Sequence, residues 1–175
     1  MPEILLLRHA KSTPATPGQD DHERGLEPSG EKAAKRVGRL LAEHGLLPDL
    51  VLCSTAARTR ATWEIVSGKL RHPVPVKELR SLYLAAPGRL LEIVQRQPAT
   101  ASRLLLIGHN PGLHVLAVRL AASGEADALR SLREKLPTGG LVHIAFESAE
   151  SWSEVTAGAG RLLGCWRPRE LGRNP

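Results

Sequence analysis

Ile4-Leu5-Leu6-Leu7-Arg8-His9 is a run of four aliphatic residues that stops at two polar ones. A continuous apolar run this short reads as a strand buried on both faces, the kind found in parallel sheets, with Arg8-His9 at its C-terminal end. The signature returns twice. Leu50-Val51-Leu52-Cys53 hands over to Ser54-Thr55, and Leu104-Leu105-Leu106-Ile107 hands over to Gly108-His109-Asn110-Pro111-Gly112. Apolar residues at helical spacing follow each run: Ala33, Val37, Leu40 and Leu41, then Trp63, Ile65 and Val66, then Leu113, Leu116, Ala117 and Leu120. Strands alternating with helices predict an α/β fold, an open and mostly parallel doubly wound sheet with helices on both faces.

Punctuation residues refine this outline. Ser29 is placed to cap the first helix and Gly45 to end it, while Asn110 and Pro111 suit the cap and first position of a later one. Residues 10 to 25 are rich in Pro, Thr, Gly and Asp and read as a long loop, a length that often carries function. Pro73-Val74-Pro75-Val76 suits an edge strand because its prolines cannot donate to a ladder. Leu90 to Gln95 reads as a helix, Leu141 to Phe146 as a strand, and Val155 as part of a further strand.

At 175 residues the chain suits a single domain, read as residues 1–166, with 167–175 as a C-terminal tail. Hydrophobic residues at 42% and charged residues at 24% exclude disordered and fibrous classes. Against 18 Asp and Glu, 24 Lys and Arg leave a net charge of +6, which favours an anionic partner. Aromatics are only 3%, too few for a base-stacking surface, so nucleic acid is not the expected partner. Two cysteines do not make a disulfide framework, and Met1-Pro2-Glu3 with its short apolar run fits neither a secretory signal nor a membrane span. A cytoplasmic protein is expected.

The chemistry gathers where the three runs end. In open α/β sheets ligands bind outside the carboxyl ends of the strands, so Arg8-His9, the Ser54 to Arg58 segment and His109 are expected to converge. No carboxylate cluster or Cys-x-x-Cys accompanies the histidines, and two arginines would repel a cation, so no metal is expected. Arg offers a planar fork of donors matched to phosphate oxygens. Arg58, a cation in the first turn of a helix, opposes the helix dipole and calls for a compensating anion. Phosphate is the group that fits.

These residues also carry a family resemblance. The strand ending in Arg8-His9-Ala10, the segment Ser54-x-x-x-Arg58-x-x-x-Thr62 and Gly108-His109-Asn110-Pro111 resemble the histidine phosphatase (phosphoglycerate mutase-like) superfamily. With Asp21-x-x-Arg24-x-Leu26-x-x-x-Gly30 after the first motif, the chain looks most like the small phosphohistidine phosphatase branch. The resemblance implies that His9 is a nucleophile that becomes phosphorylated, while Arg8, Arg58 and His109 hold the phosphoryl oxygens. It implies no metal and no cofactor. Arg24 is a candidate further phosphate contact.

The sequence departs from the family at two positions. Ala10 replaces the common Gly of the first motif, and Ser81, in Glu78-Leu79-Arg80-Ser81, occupies the position of an acidic proton donor in larger members. Asp21 is the nearest alternative acid. Without a strong acid a phosphorylated imidazole is the easier substrate, because it departs as a neutral molecule. The expected function is therefore a metal-independent phosphatase acting on phosphohistidine in a protein. A broad small-molecule phosphomonoesterase and a non-catalytic phosphate-binding module remain the alternatives. His22, His44, His72, His114 and His143 are read as solvated or structural. Arg80, Arg89, Arg96, Arg103, Arg130 and Arg133 are read as a solvated basic face.

Overall fold

A computed structural model describes residues 1–171. The three apolar runs form β1 (Glu3–Arg8), β2 (Leu50–Ser54) and β4 (Arg103–Gly108), joined in the sheet by β3 (Val76–Leu79), β5 (Ala121–Gly124), β6 (Leu141–Ala145) and β7 (Gly160–Trp166). Strand order is β3-β2-β4-β1-β6-β7-β5. β6 runs antiparallel to both neighbours and every other pairing is parallel, so the sheet is mixed but mostly parallel, as expected. The helices are α1 (Pro28–Glu43), α2 (Ala57–Ser67), α3 (Pro87–Gln95), α4 (Gly112–Leu120) and α5 (Ala126–Glu134). None of the described helices is long and apolar enough to cross a membrane.

Side chains alternate across a strand, and that period sorts each aliphatic run into two cores. Ile4, Leu6, Leu52, Leu104 and Leu106 pack with α3, α4 and α5 on one face. Leu5, Leu7, Val51, Cys53, Leu105 and Ile107 pack with α1 and α2 on the other. Leu105 is fully buried and lies opposite Leu5 on one side and Val51 on the other, so truncating it to Ala would cost about 2–5 kcal/mol. Register decides the site. Arg8 lies opposite Gly108, and Cys53 opposite Ile107, so His9, Ser54 and His109 leave the sheet along one edge.

Gly30 explains the spacing after the first motif. A Cβ there would meet the Lys11 carbonyl oxygen at 2.2 Å, so only Gly lets α1 approach the chain that leaves His9. Gly45 follows α1 with φ of 65°, the left-handed turn expected after a helix.

Several local expectations are corrected. Glu27, not Ser29, precedes α1, because Pro28 takes the first helical position and Ser29 lies inside the first turn. Asn110 does not cap α4; its amide donates to the Leu136 carbonyl at 2.8 Å, and Pro111 precedes the helix instead of opening it. The edge strand begins at Val76: Pro73 and Pro75 bring no donors, and only the Pro75 carbonyl joins the ladder, accepting from Val51 at 2.9 Å. Val155 closes the short 3-10 turn Trp152–Glu154 inside the core instead of extending a strand. Arg103 is no part of a solvated face, since it pairs with Glu3 at 2.7 Å. The segment read as a tail is packed over its first residues. Leu171 joins the core face of α1 and Arg36 donates to the Pro168 carbonyl at 3.4 Å, while 172–175 lie outside the described residues.

Candidate active site

His9 is buried just past β1, with its amide donating to the Gly108 carbonyl at 3.1 Å and its carbonyl accepting from Gly139 at 3.0 Å. The Nδ1–H donates to the Ala10 carbonyl at 2.7 Å. That bond fixes the tautomer and leaves Nε2 with a free lone pair. The Ala10 amide donates to Thr62 Oγ1 at 3.0 Å, and the Thr62 hydroxyl donates to the Arg58 carbonyl at 2.7 Å. The Arg58-x-x-x-Thr62 spacing thus places a hydroxyl one helical turn after Arg58, where it ties the His9 loop to α2. Among the described residues Leu84, with φ of 50°, is the one residue other than Gly with positive φ, so Ala10 meets no penalty for lacking Gly's freedom.

His109 faces His9, with ring centroids 5.3 Å apart, and its Nε2 lies 2.8 Å from Ser54 Oγ. With the Ser54 hydroxyl donating, the neutral ring carries its hydrogen on Nδ1, a buried atom that has no partner among the described residues. Arg58 is 2% exposed. Its guanidinium donates to the Asp21 carbonyl at 2.8 Å and to Asp21 Oδ2 at 3.1 Å, while Nε stays unsatisfied. Arg8 donates to the Leu136 carbonyl at 3.2 Å, and its Nε too has no partner among the described residues. Arg24 is held by Asp21 at 2.8 Å and donates to the Thr13 carbonyl at 2.6 Å. These side chains share one cavity of about 360 Å³, lined also by Lys11, Ser12, Leu84, Asn110 and Thr138.

Burial and the surrounding guanidinium groups set the protonation states. Burial pushes His9 down from 6.5 to about 4, helped by Arg58, Arg8 and Arg24, against the opposing pull of the Ala10 carbonyl. His109 is pushed down to about 3 by burial, Arg58 and His9. Both rings are neutral near pH 7, and burial outranks the neighbouring charges as the cause. Asp21 is also pushed down, which for a carboxyl favours the charged form. The Tyr83 hydroxyl, Arg24 and Arg58 all bond to it and hold its carboxyl well below the usual carboxylate range. A carboxylate accepting from three donors is a poor proton donor, so this arrangement does not suit Asp21 as general acid.

Tyr83 and His22 belong to the site and were not picked out from sequence. Tyr83 bonds Asp21, packs its ring edge-on against His109 at 5.4 Å and lies under the Arg58 guanidinium at 5.7 Å. His22 packs against Tyr83 at 4.8 Å and its Nε2 meets Thr55 Oγ1 at 2.9 Å. The available signal was that Tyr83 is the only tyrosine of the chain, two residues after Ser81. Ser81 itself is exposed and does not line the cavity, and Glu78 turns away to Arg60 at 3.5 Å. His114 and His143 are structural, bonded to the Leu132 carbonyl at 2.6 Å and to Glu3 at 3.0 Å.

The chain has recognisable relatives. The profile of the Histidine phosphatase superfamily (branch 1) matches residues 4–83. An uncharacterized protein of Mycobacterium tuberculosis is 37% identical over 169 residues, covering 93% of this chain and 100% of its own. The crystal structure of a candidate phosphohistidine phosphatase, SixA, from Agrobacterium tumefaciens superposes with a TM-score of 0.79 at 29% identity, covering 96% of this chain and 99% of its own. Its counterpart from Nakamurella multipartitia gives 0.80 at 28% identity, covering 95% and 96%.

Proposed function

This chain belongs to the histidine phosphatase superfamily, and from that premise we propose that it hydrolyses phosphohistidine on a protein, without a metal, through a phosphoryl group carried on His9. The observation that carries the reading is the His9 Nδ1–H bond to the Ala10 carbonyl, which leaves Nε2 as an unprotonated nucleophile facing a cationic cavity.

In the first step Nε2 of His9 attacks phosphorus in line, the Nε2–P bond forms, and the bond from phosphorus to the substrate's imidazole nitrogen breaks. The substrate ring carries a proton on its other nitrogen, so the departing nitrogen keeps the electron pair and the imidazole leaves neutral with no further proton. In the second step water attacks the phosphoryl group, its proton passes to solvent, phosphate leaves, and the lone pair returns to Nε2. Transferring phosphoryl oxygens carry spread negative charge, so fixed donors supply most of the catalysis. Arg8, Arg58 and the Nδ1–H of His109 are placed for that work, with Arg24 in reach. Asp21 shares the Arg58 guanidinium, so a phosphoryl group there competes with a carboxylate for the same fork.

Phosphohistidine suits a site whose cavity carboxylate is held ionised, since a neutral imidazole leaves without a strong acid. The free thiols Cys53 and Cys165 fit work in the reducing cytoplasm. Turnover of a phosphohistidine peptide against p-nitrophenyl phosphate and glycerol phosphate, in chelator, tests the reading. Cleavage in that order of preference supports it, and equal rates on the alkyl phosphate or loss of activity in chelator contradict it.

A further inference from the structure

Beside the catalytic cavity lies a second and larger hollow of about 610 Å³, and Arg8, Lys11 and Thr138 line both. Five cations border it: Arg8, Lys11, Lys135, Arg167 and Arg169. No carboxylate side chain lines it among the described residues. Ala33, Pro137 and Pro168 supply apolar lining.

The far wall is built by the segment after β7. Arg167 donates to the Ser131 carbonyl at 2.8 Å, and the Leu171 amide donates to the Pro168 carbonyl at 3.3 Å. Gly139 has φ of 72°, and a Cβ there would meet Pro168 at 2.9 Å, so the loop carrying Pro137 and Thr138 closes against this wall only because the residue is Gly. Lys11 and Arg167 have acidic neighbours, Glu27 at 3.4 Å and Glu134 at 3.9 Å. Lys135 and Arg169 are exposed and form no ion pair among the described residues.

We propose that this groove receives an acidic polypeptide segment next to the phosphorylated residue, so that the substrate is recognised by its flanking carboxylates as well as by its phosphoryl group. The inference rests on the reading of the cavity as a phosphatase site. Number and size favour a peptide over a small second anion. Five cations from four separate stretches of the chain, the end of β1, the loop after it, the end of α5 and the segment after β7, border a hollow of about 610 Å³. The apolar lining of Ala33, Pro137 and Pro168 takes the aliphatic parts of side chains. Exposed lysines and arginines of this kind act mainly on encounter and partner choice.

The test reads binding apart from catalysis. Fluorescence anisotropy is measured with two fluorescein-labelled unphosphorylated peptides around one His, one carrying four Asp or Glu and the other Asn or Gln in their places. The acidic peptide binds about tenfold or more tightly, the difference falls with salt, and Lys135→Glu with Arg169→Glu abolishes it. The double variant retains full p-nitrophenyl phosphate turnover, which also reports that it folds. With the phosphohistidine forms of both peptides the wild-type protein shows a lower KM for the acidic one at equal kcat. Equal binding of the two peptides overturns the proposal, as does an oligonucleotide of equal charge that competes as well as the acidic peptide. If no phosphorylated compound is turned over, the phosphatase reading fails while anisotropy still decides the groove.

Discussion

Arg58 Nη2 lies 3.1 Å from Asp21 Oδ2, so the buried guanidinium that lines the cavity is paired with a carboxylate that lines it too. A phosphoryl group that uses the same nitrogen competes with that carboxylate. Asp21→Asn removes the competitor's charge while keeping its shape. The expected result is tighter inhibition by orthophosphate and a rate on aryl phosphates within about tenfold of wild type, with an unchanged dependence on leaving-group basicity. A steep leaving-group dependence appearing only in the variant would restore Asp21 as the general acid.

Arg58 itself is expected to be far less forgiving. Arg58→Ala should lower kcat by roughly 10²- to 10³-fold, in line with removal of one oxyanion donor. Arg58→Lys should recover only part of that loss, because a point charge lacks the fork that meets two oxygens at once. Normal kinetics in the lysine variant would show that the geometry at this position is unimportant.

Tyr83 contributes a hydroxyl to Asp21 and a ring to His109 and Arg58. Tyr83→Phe keeps the ring and removes the hydroxyl. The account predicts a stability loss of about 1 kcal/mol in urea unfolding and a change in rate of less than about tenfold. A collapse in activity with intact folding would instead make the phenol a proton donor in the reaction.

Two neutral buried histidines make stability depend on pH. His9 and His109 are pushed down from 6.5 to about 4 and about 3, so between those values and 6.5 the unfolded chain binds more protons than the folded one. Their contribution is complete above pH 6.5 and is lost as pH falls through that window, at up to about 1.4 kcal/mol per unit for each ring. Urea midpoints measured from pH 7 to pH 4 should fall accordingly, and His109→Gln should flatten the slope. A midpoint that is level over that range would mean that the rings are protonated in the folded state.

The three strands that build the site were legible because each is a short aliphatic run ending in polar residues, and burial on both faces leaves little else such a run can be. The convergence of His9, Arg58 and His109 followed from the rule that strand ends line the cleft. β5 was not legible, because Ala121-Ala122-Ser123-Gly124 has neither β-branched residues nor alternation and pairs only through its backbone with β7. Tyr83 was hidden for a different reason: its place in the site comes from a 3-10 turn after β3, which no periodicity announces. The burial that chiefly lowers both histidines also lay beyond the sequence, although the arginines beside them act in the same direction.

The central claim is that His9 carries the phosphoryl group, and trapping the intermediate tests it most directly. Enzyme mixed with excess phosphohistidine peptide or p-nitrophenyl phosphate is quenched in alkali, where phosphohistidine survives, and digested for mass spectrometry. The account predicts one phosphorylated peptide, modified at Nε2 of His9 and absent from His9→Ala, which should also lose at least ~10³-fold in rate. A phosphoryl group found on another residue, or steady turnover with His9 never modified, would contradict it.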